Sequence, residues 1–297
     1  MITVFSRNYA PIGPVCDPNN QYAATFDGIQ DFLSIDPSGT IIAPTSYLWS
    51  FWVKRNDTNV NDTNLRWFWG QSVPANANPN FIRIIMNSVA TNTIEFEFRS
   101  NTTAHSMKRQ WVLHDGANQA ITGSTSSASR WVAGNSAINV NTNGYVHLLF
   151  NYTGATYGSP SSATNCTLYW NGQLMTQGGA PVNSGIVTNP GIYTHRQAIA
   201  TNPANFGLAN MQSMYMDSLL MVPGGFSGGQ FQLGEGLTGY TDQQVVDFIY
   251  NSGCPSPLSG STRYARYDFE QNYDSTPFGI YSTWTSAHLP PFTSNHA

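Results

Sequence analysis

Glu95 and Glu97 stand two residues apart in the stretch Thr93-Ile94-Glu95-Phe96-Glu97-Phe98-Arg99. That spacing puts both carboxylates on one face of a strand. Two carboxyl groups on one surface are what glycoside hydrolysis needs, one as acid and the other as nucleophile or base. The same alternation has a simpler meaning: Ile94, Phe96 and Phe98 turn to a core, and Glu95, Glu97 and Arg99 turn to solvent. The solvated strand side is the reading adopted. Glu235 and Glu270 are the only other glutamates. His105, His114, His147 and His195 are scattered, and no Gly-x-Ser-x-Gly elbow, His-Glu-x-x-His pair or phosphate loop occurs. No catalytic residue is assigned, and a non-enzymatic protein is expected.

Three other sets of residues bear on chemistry. Cys16, Cys166 and Cys254 are odd in number and widely spaced, with no Cys-x-x-Cys. They read as small buried thiols, with one disulfide as the alternative. Trp67, Trp69, Trp111 and Trp131 lie in or beside segments rich in Asn and Gln. Sugars stack their apolar faces on aromatic rings and hydrogen-bond to amides, so these four are the candidate glycan-binding residues; a place in the core is the competing reading. Asn-x-Ser/Thr sequons at Asn56, Asn61, Asn101, Asn151 and Asn165 are no more than a chain this rich in Asn and Thr contains by chance.

These residues need strands to position them. In 47–54, Tyr47, Trp49, Phe51 and Val53 share a face, opposed by Leu48, Ser50, Trp52 and Lys54. In 145–152 the face Val146, Leu148, Phe150 and Tyr152 is wholly apolar, with His147 and Asn151 behind it. Such segments suit the inner strands of two packed sheets. Asn171-Gly172 between 166–170 and 173–175 supplies the positive φ pair of a type I′ hairpin. Further strands are expected at 22–26, 32–35, 81–86, 109–114 and 213–222. Thr241-Asp242-Gln243-Gln244 is a capping box opening a short amphipathic helix over 242–252, with Gly253 as its stop.

The composition narrows the class. Of 297 residues, 40% are hydrophobic and 9% charged, and the net charge is -4. Lys occurs only at Lys54 and Lys108. With no basic stripe, nucleic-acid binding is disfavoured. No apolar run is long enough to span a membrane as a helix. The first residues lack the charged head and apolar stretch of a secretory signal, so synthesis in a cytoplasm without export by that route is expected. Lys is nearly unavailable for guarding sheet edges. Loops must cover those edges, or other subunits must.

Ala24-Thr25-Phe26-Asp27-Gly28 with Asp31-Phe32-Leu33-Ser34-Ile35, then Ser50-Phe51-Trp52-Val53-Lys54, then Tyr145–Tyr152 leading to Leu168-Tyr169-Trp170-Asn171-Gly172, follow one another in order. Met216-Asp217-Ser218-Leu219-Leu220-Met221, the helix, and Tyr264-Ala265-Arg266-Tyr267-Asp268-Phe269-Glu270 continue the series. Together they resemble the laminin-G-like (concanavalin A-like) jelly roll of phage virion structural proteins. The chain departs from that pattern at Tyr145, where Trp is usual, and at Ser218, where an acid is usual.

The resemblance implies an all-β, two-sheet antiparallel jelly-roll sandwich with one C-terminal helix. It implies an N-terminal arm (1–20), the jelly roll (21–255) and a C-terminal extension (256–297). The implied function is that of a virion component, a capsid decoration or a tail or spike protein, binding other virion proteins or copies of itself, and host-surface glycans. A carbohydrate-binding adhesin outside a virion is the alternative. Relatives include β-glucanases with a Glu-x-Asp-x-x-Glu strand, which this chain lacks. Many relatives hold calcium, and the resemblance nominates Asp27, Asp31 and Asp217 as its ligands; the competing reading is that Asp27 only shapes its turn.

Overall fold

An apolar stripe on alternate residues is buried only when the chain is extended and one side meets a core. In the computed structural model these segments form two antiparallel sheets packed face to face. The structure describes residues 23–29, 32–35, 41–42, 46–55, 66–72, 81–88, 93–99, 106–112, 145–153, 166–175, 182–184, 192–193, 196–201, 212–223, 226, 240–251, 265–267 and 293–295. The expected N-terminal arm lies outside them.

One sheet runs β1 (Ala24–Asp27), β15 (Ser213–Pro223), β4 (Ser46–Arg55), β9 (Val146–Thr153), β10 (Cys166–Trp170), β11 (Gln173–Leu174), with β16 (Ala265–Tyr267) also pairing β15. The other runs β12 (Val182–Ser184), β8 (Ser106–Val112), β7 (Thr93–Arg99), β6 (Phe81–Ser88), β5 (Arg66–Ser72), β14 (Arg196–Ile199), β2 (Phe32–Ile35), β17 (Thr293–Asn295). β3 (Ile41–Ile42) and β13 (Ile192–Tyr193) pair with each other. The chain crosses repeatedly between the layers, as a jelly roll does. Strands β16 and β17 both fall within 256–297 and pair with one sheet each.

The core lies between the layers and is unusually aromatic. Trp49 of β4 meets Trp69 of β5 at 5.2 Å and Phe96 of β7 at 5.5 Å, and Trp111 of β8 sets its edge against Phe150 of β9 at 5.8 Å. The face Trp49, Phe51 and Val53 and the face Val146, Leu148, Phe150 and Tyr152 point inward, as their alternation predicts. Two bulges change which parity faces in. Ser218, at φ 49°, marks a register shift in β15, so Met214 and Met216 are core before it and Leu219 and Met221 after it. In β5 a shift between Trp67 and Trp69 sends both Phe68 and Trp69 inward and leaves Trp67 on the outer side.

Helix α1 (Asp242–Tyr250) lies on the outer face of the seven-stranded sheet. Val245, Val246 and Ile249 cover Leu48, Leu149, Leu220 and Val222. The capping box forms as expected: the Gln244 amide donates to Thr241 Oγ1 at 3.3 Å, and the Thr241 amide donates to Gln244 Oε1 at 2.8 Å. The stop differs. Asn251 takes the left-handed cap (φ 47°, ψ 48°), one of the few residues beside Gly that does so readily, and the helix ends before Gly253 is reached.

Candidate functional site

Each sheet hides polar groups on its outer side. On the eight-stranded sheet, register sets Arg83 of β6 opposite Glu97 of β7, and Glu97 opposite Lys108 of β8. Arg83 Nη2 reaches Glu97 Oε2 and lies 3.3 Å from Glu95 Oε1. Lys108 Nζ stands 3.8 Å from Glu95 and 3.7 Å from Glu97, and Gln110 Nε2 donates to Glu95 Oε2 at 2.6 Å. The Arg83 guanidinium also lies over the Trp67 ring at 5.3 Å. Glu95 is 1% exposed and Glu97 not at all. The solvated strand side expected for them is therefore corrected. Cations on the two flanking strands neutralise both carboxylates, which lets them be buried. Two ionised carboxylates held this way are committed to their own neighbours, so neither stands free as an acid or a nucleophile.

On the seven-stranded sheet the hidden polar groups centre on an imidazole, with the buried carboxylate of Asp217 on the same face. His147 of β9 faces Trp52 of β4 across the ladder, at 5.0 Å between rings, and Tyr250 at the end of α1 closes over both. Ser50 Oγ is 2.7 Å from His147 Nε2, and the Asn171 side-chain oxygen accepts from the His147 amide at 2.8 Å. A Ser–His contact is the start of a nucleophile and its base. Here it is sealed: Ser50 and His147 are buried, and burial pulls the imidazole down to about 3, so it stays neutral at ordinary pH. The hairpin is docked under the helix. Asn171 (φ 48°) and Gly172 (φ 79°) make the expected turn, Gln243 Nε2 donates to the Gly172 carbonyl at 2.7 Å, and Tyr250 packs on the Gly172 backbone.

The sequence-predicted binding residues go elsewhere. Trp69 and Trp111 are core residues, and Trp67 is covered on the outer side beneath Arg83. None of the three offers a ring face to a sugar, because in a sandwich this aromatic the inward strand positions take the large rings first. Trp131 lies outside the described residues. The calcium set is not assembled either. Asp27 pairs with Ser213, four residues along β15 from Asp217, about 13 Å at the rise of an extended strand. Asp217 is buried and accepts from Ser218 Oγ at 3.3 Å. Asp31 lies outside the described residues, among which no group of three His, Cys, Asp or Glu side chains is placed to hold a metal.

Of the five sequons, Asn151 alone is described; it is buried in β9 with its side-chain oxygen accepting from the Phe226 amide at 3.1 Å. Of the cysteines, Cys166 alone is described; it is a buried free thiol that burial keeps protonated.

What sequence reasoning missed is the row Tyr215–Lys54–Tyr145 on the same outer face, just past the end of α1. Lys54 pairs across the ladder with Tyr215, and its Nζ lies 5.7 Å from that ring and 5.9 Å from the ring of Tyr145. Burial, then the charges of Asp217 and Tyr215, push the Tyr145 phenol far above its ordinary value. The alternation in 47–54 put Lys54 on this face, but nothing local announced the two rings.

With this geometry in place, comparison with known proteins gives distant likenesses. No protein-family model matches the chain. No curated protein matches it. Among solved structures it is similar to the binding domain of Paraclostridial Mosquitocidal Protein 1, at 10% identity and a TM-score of 0.46, over 94% of this chain and 63% of that one. It is similar to the heptameric SAP-like pentraxin from Limulus polyphemus, at 10% identity and a TM-score of 0.40, over 92% of this chain and 91% of that one. The Ruminococcus gnavus IT-sialidase CBM40, solved with α2,3-sialyllactose, matches at 9% identity and a TM-score of 0.38, over 65% of this chain and 87% of that one.

Proposed function

We propose that the chain is a non-catalytic recognition and assembly domain, displayed on a virion as a decoration or tail component, that contacts neighbouring subunits and host-surface glycans. One observation carries the non-catalytic part: among the described residues, the two clusters with catalytic residue types are closed by their own neighbours. Glu95 and Glu97 are tied to Arg83, Lys108 and Gln110, and the Ser50–His147 contact is sealed beneath Tyr250. What the described part of the sandwich offers a partner is surface. The virion placement draws support from the laminin-G-like segments and from the low charge, which suits burial between copies.

The test is a glycan array with the purified chain, alongside immunogold labelling of particles from the source culture. Binding to a defined glycan set together with label on particles is expected. Label confined to cell surfaces moves the protein to the adhesin reading, and turnover of any bound glycan ends the non-catalytic one.

A further inference from the structure

The outer face of the seven-stranded sheet changes character along its length. Helix α1 covers the rows that carry Leu48, Leu149 and Val222, and its last residue, Tyr250, covers Trp52 and His147. The next row, Tyr215–Lys54–Tyr145, lies beyond the helix end. Tyr145 is buried, whereas Tyr215, Lys54 and Tyr250 are each only half-buried. The two lysines of the chain therefore have opposite surroundings. Lys108 stands beside two carboxylates. Lys54 lies between two phenol rings and forms no ion pair with a described carboxylate; Asp217, on the same face, is buried and accepts from Ser218 Oγ. A half-buried ammonium held by ring faces and in no described ion pair still attracts an anion, and the half-buried rings of Tyr215 and Tyr250 beside it are the kind of surface on which a sugar stacks its C–H face.

We propose that Tyr215, Lys54 and Tyr250 form a binding site for an anionic polysaccharide. The sugar ring packs against the part of Tyr215 and Tyr250 left open to solvent, its carboxylate or sulfate meets Lys54 Nζ, and the phenol hydroxyls hydrogen-bond to ring hydroxyls. Tyr145 beneath fixes the lysine by its ring face. This site rests on the glycan-recognition reading above and narrows it to one charge class.

The test uses affinity electrophoresis of the full chain in gels containing polygalacturonate, dextran sulfate or uncharged dextran. Retardation by both polyanions and none by dextran is expected. Lys54→Gln and Tyr215→Ala, each checked for a cooperative thermal transition, should weaken polyanion binding on the order of tenfold, the size of one lost charged or stacking contact, and Lys54→Arg should restore it. A readout independent of any variant is limited lysine acetylation followed by mass spectrometry: polygalacturonate should shield Lys54 and leave Lys108 unchanged. Equal retardation of wild type and Lys54→Gln, or equal acetylation of Lys54 with and without polyanion, overturns the site. Array binding confined to neutral glycans also overturns it while sparing the broader reading; no glycan binding of any kind removes both.

Discussion

The two outer faces of the sandwich solve one problem in opposite ways. Behind the eight-stranded sheet, buried polar groups are ionised and paired: Arg83 and Lys108 against Glu95 and Glu97. Behind the seven-stranded sheet, the buried Asp217 apart, they are uncharged and set among aromatic rings, with His147 held by Ser50 and roofed by Trp52 and Tyr250. The difference teaches where each face is fragile. A paired network fails when one partner is removed, because the other charge is left buried. A neutral pocket fails when a proton is forced into it.

The largest effect is expected on the charged side. Arg83→Met removes one of the two cations beside Glu95 and Glu97 and keeps Lys108, whose side chain is 31% exposed. Loss of one member of a buried ion network costs about 3–5 kcal/mol, read here as a lower urea midpoint at neutral pH. Adding Glu97→Gln to Arg83→Met should recover a good part of that loss, since it removes the stranded charge. A double variant no more stable than the single one would mean that Arg83 matters for packing on Trp67 and not for the carboxylates.

On the neutral side the probe is acid. His147 takes a proton near pH 6.5 when unfolded and near 3 when folded. Between those values the unfolded chain holds more protons. Its contribution to stability is therefore complete above pH 6.5 and is lost as pH falls toward 3, at about 1.4 kcal/mol per pH unit. Comparing urea unfolding of wild type and His147→Gln from pH 7 to pH 4 isolates this slope. The variant should be flatter by about that amount, and parallel curves would place the proton elsewhere.

The contrast also marks what was legible beforehand. Alternation in 47–53 and 146–152 assigned the inward faces because the core lies on one side of every inner strand. Asn171-Gly172 and Thr241–Gln244 were legible because turns and caps are made by neighbours in sequence. The burial of Glu95 and Glu97 was not. Periodicity says that a residue points away from the core, not whether cations from flanking strands let it be covered there. Nor was the row at Lys54, since Tyr215 and Tyr145 reach it only through strand register. The tryptophans misled for a related reason: a bulge in Trp67-Phe68-Trp69 breaks the alternation that would have shown Phe68 and Trp69 facing in. The bulge at Ser218 likewise carries no local sign in the sequence.

A smaller effect is expected where the hairpin meets the helix. Gly172 sits at φ +79°, and a Cβ there would come within 2.9 Å of Tyr250 Cδ1. Gly172→Ala therefore combines an unfavourable backbone with a push on the ring that roofs His147, at about 1–3 kcal/mol. Its distinguishing sign is loss of the depressed His147 titration, visible by NMR, while the Arg83 network is undisturbed. Lost stability with His147 still titrating near 3 would confine the damage to the turn.

The smallest effect concerns the helix as a lid. Thr241→Ala removes the oxygen that accepts from the Gln244 amide, and such caps contribute about 1 kcal/mol. If α1 is what keeps the seven-stranded face dry, this loss should appear locally before it appears globally. Hydrogen exchange is expected to quicken in β4 and β9 around Leu48 and Leu149, which the helix covers, and to stay unchanged in β6 and β7 around Ile84 and Phe96, which it does not touch. Equal acceleration on both sheets would show that the helix end frays only with the whole sandwich. The neutral face would then be dry because of its own aromatic packing and not because of the lid.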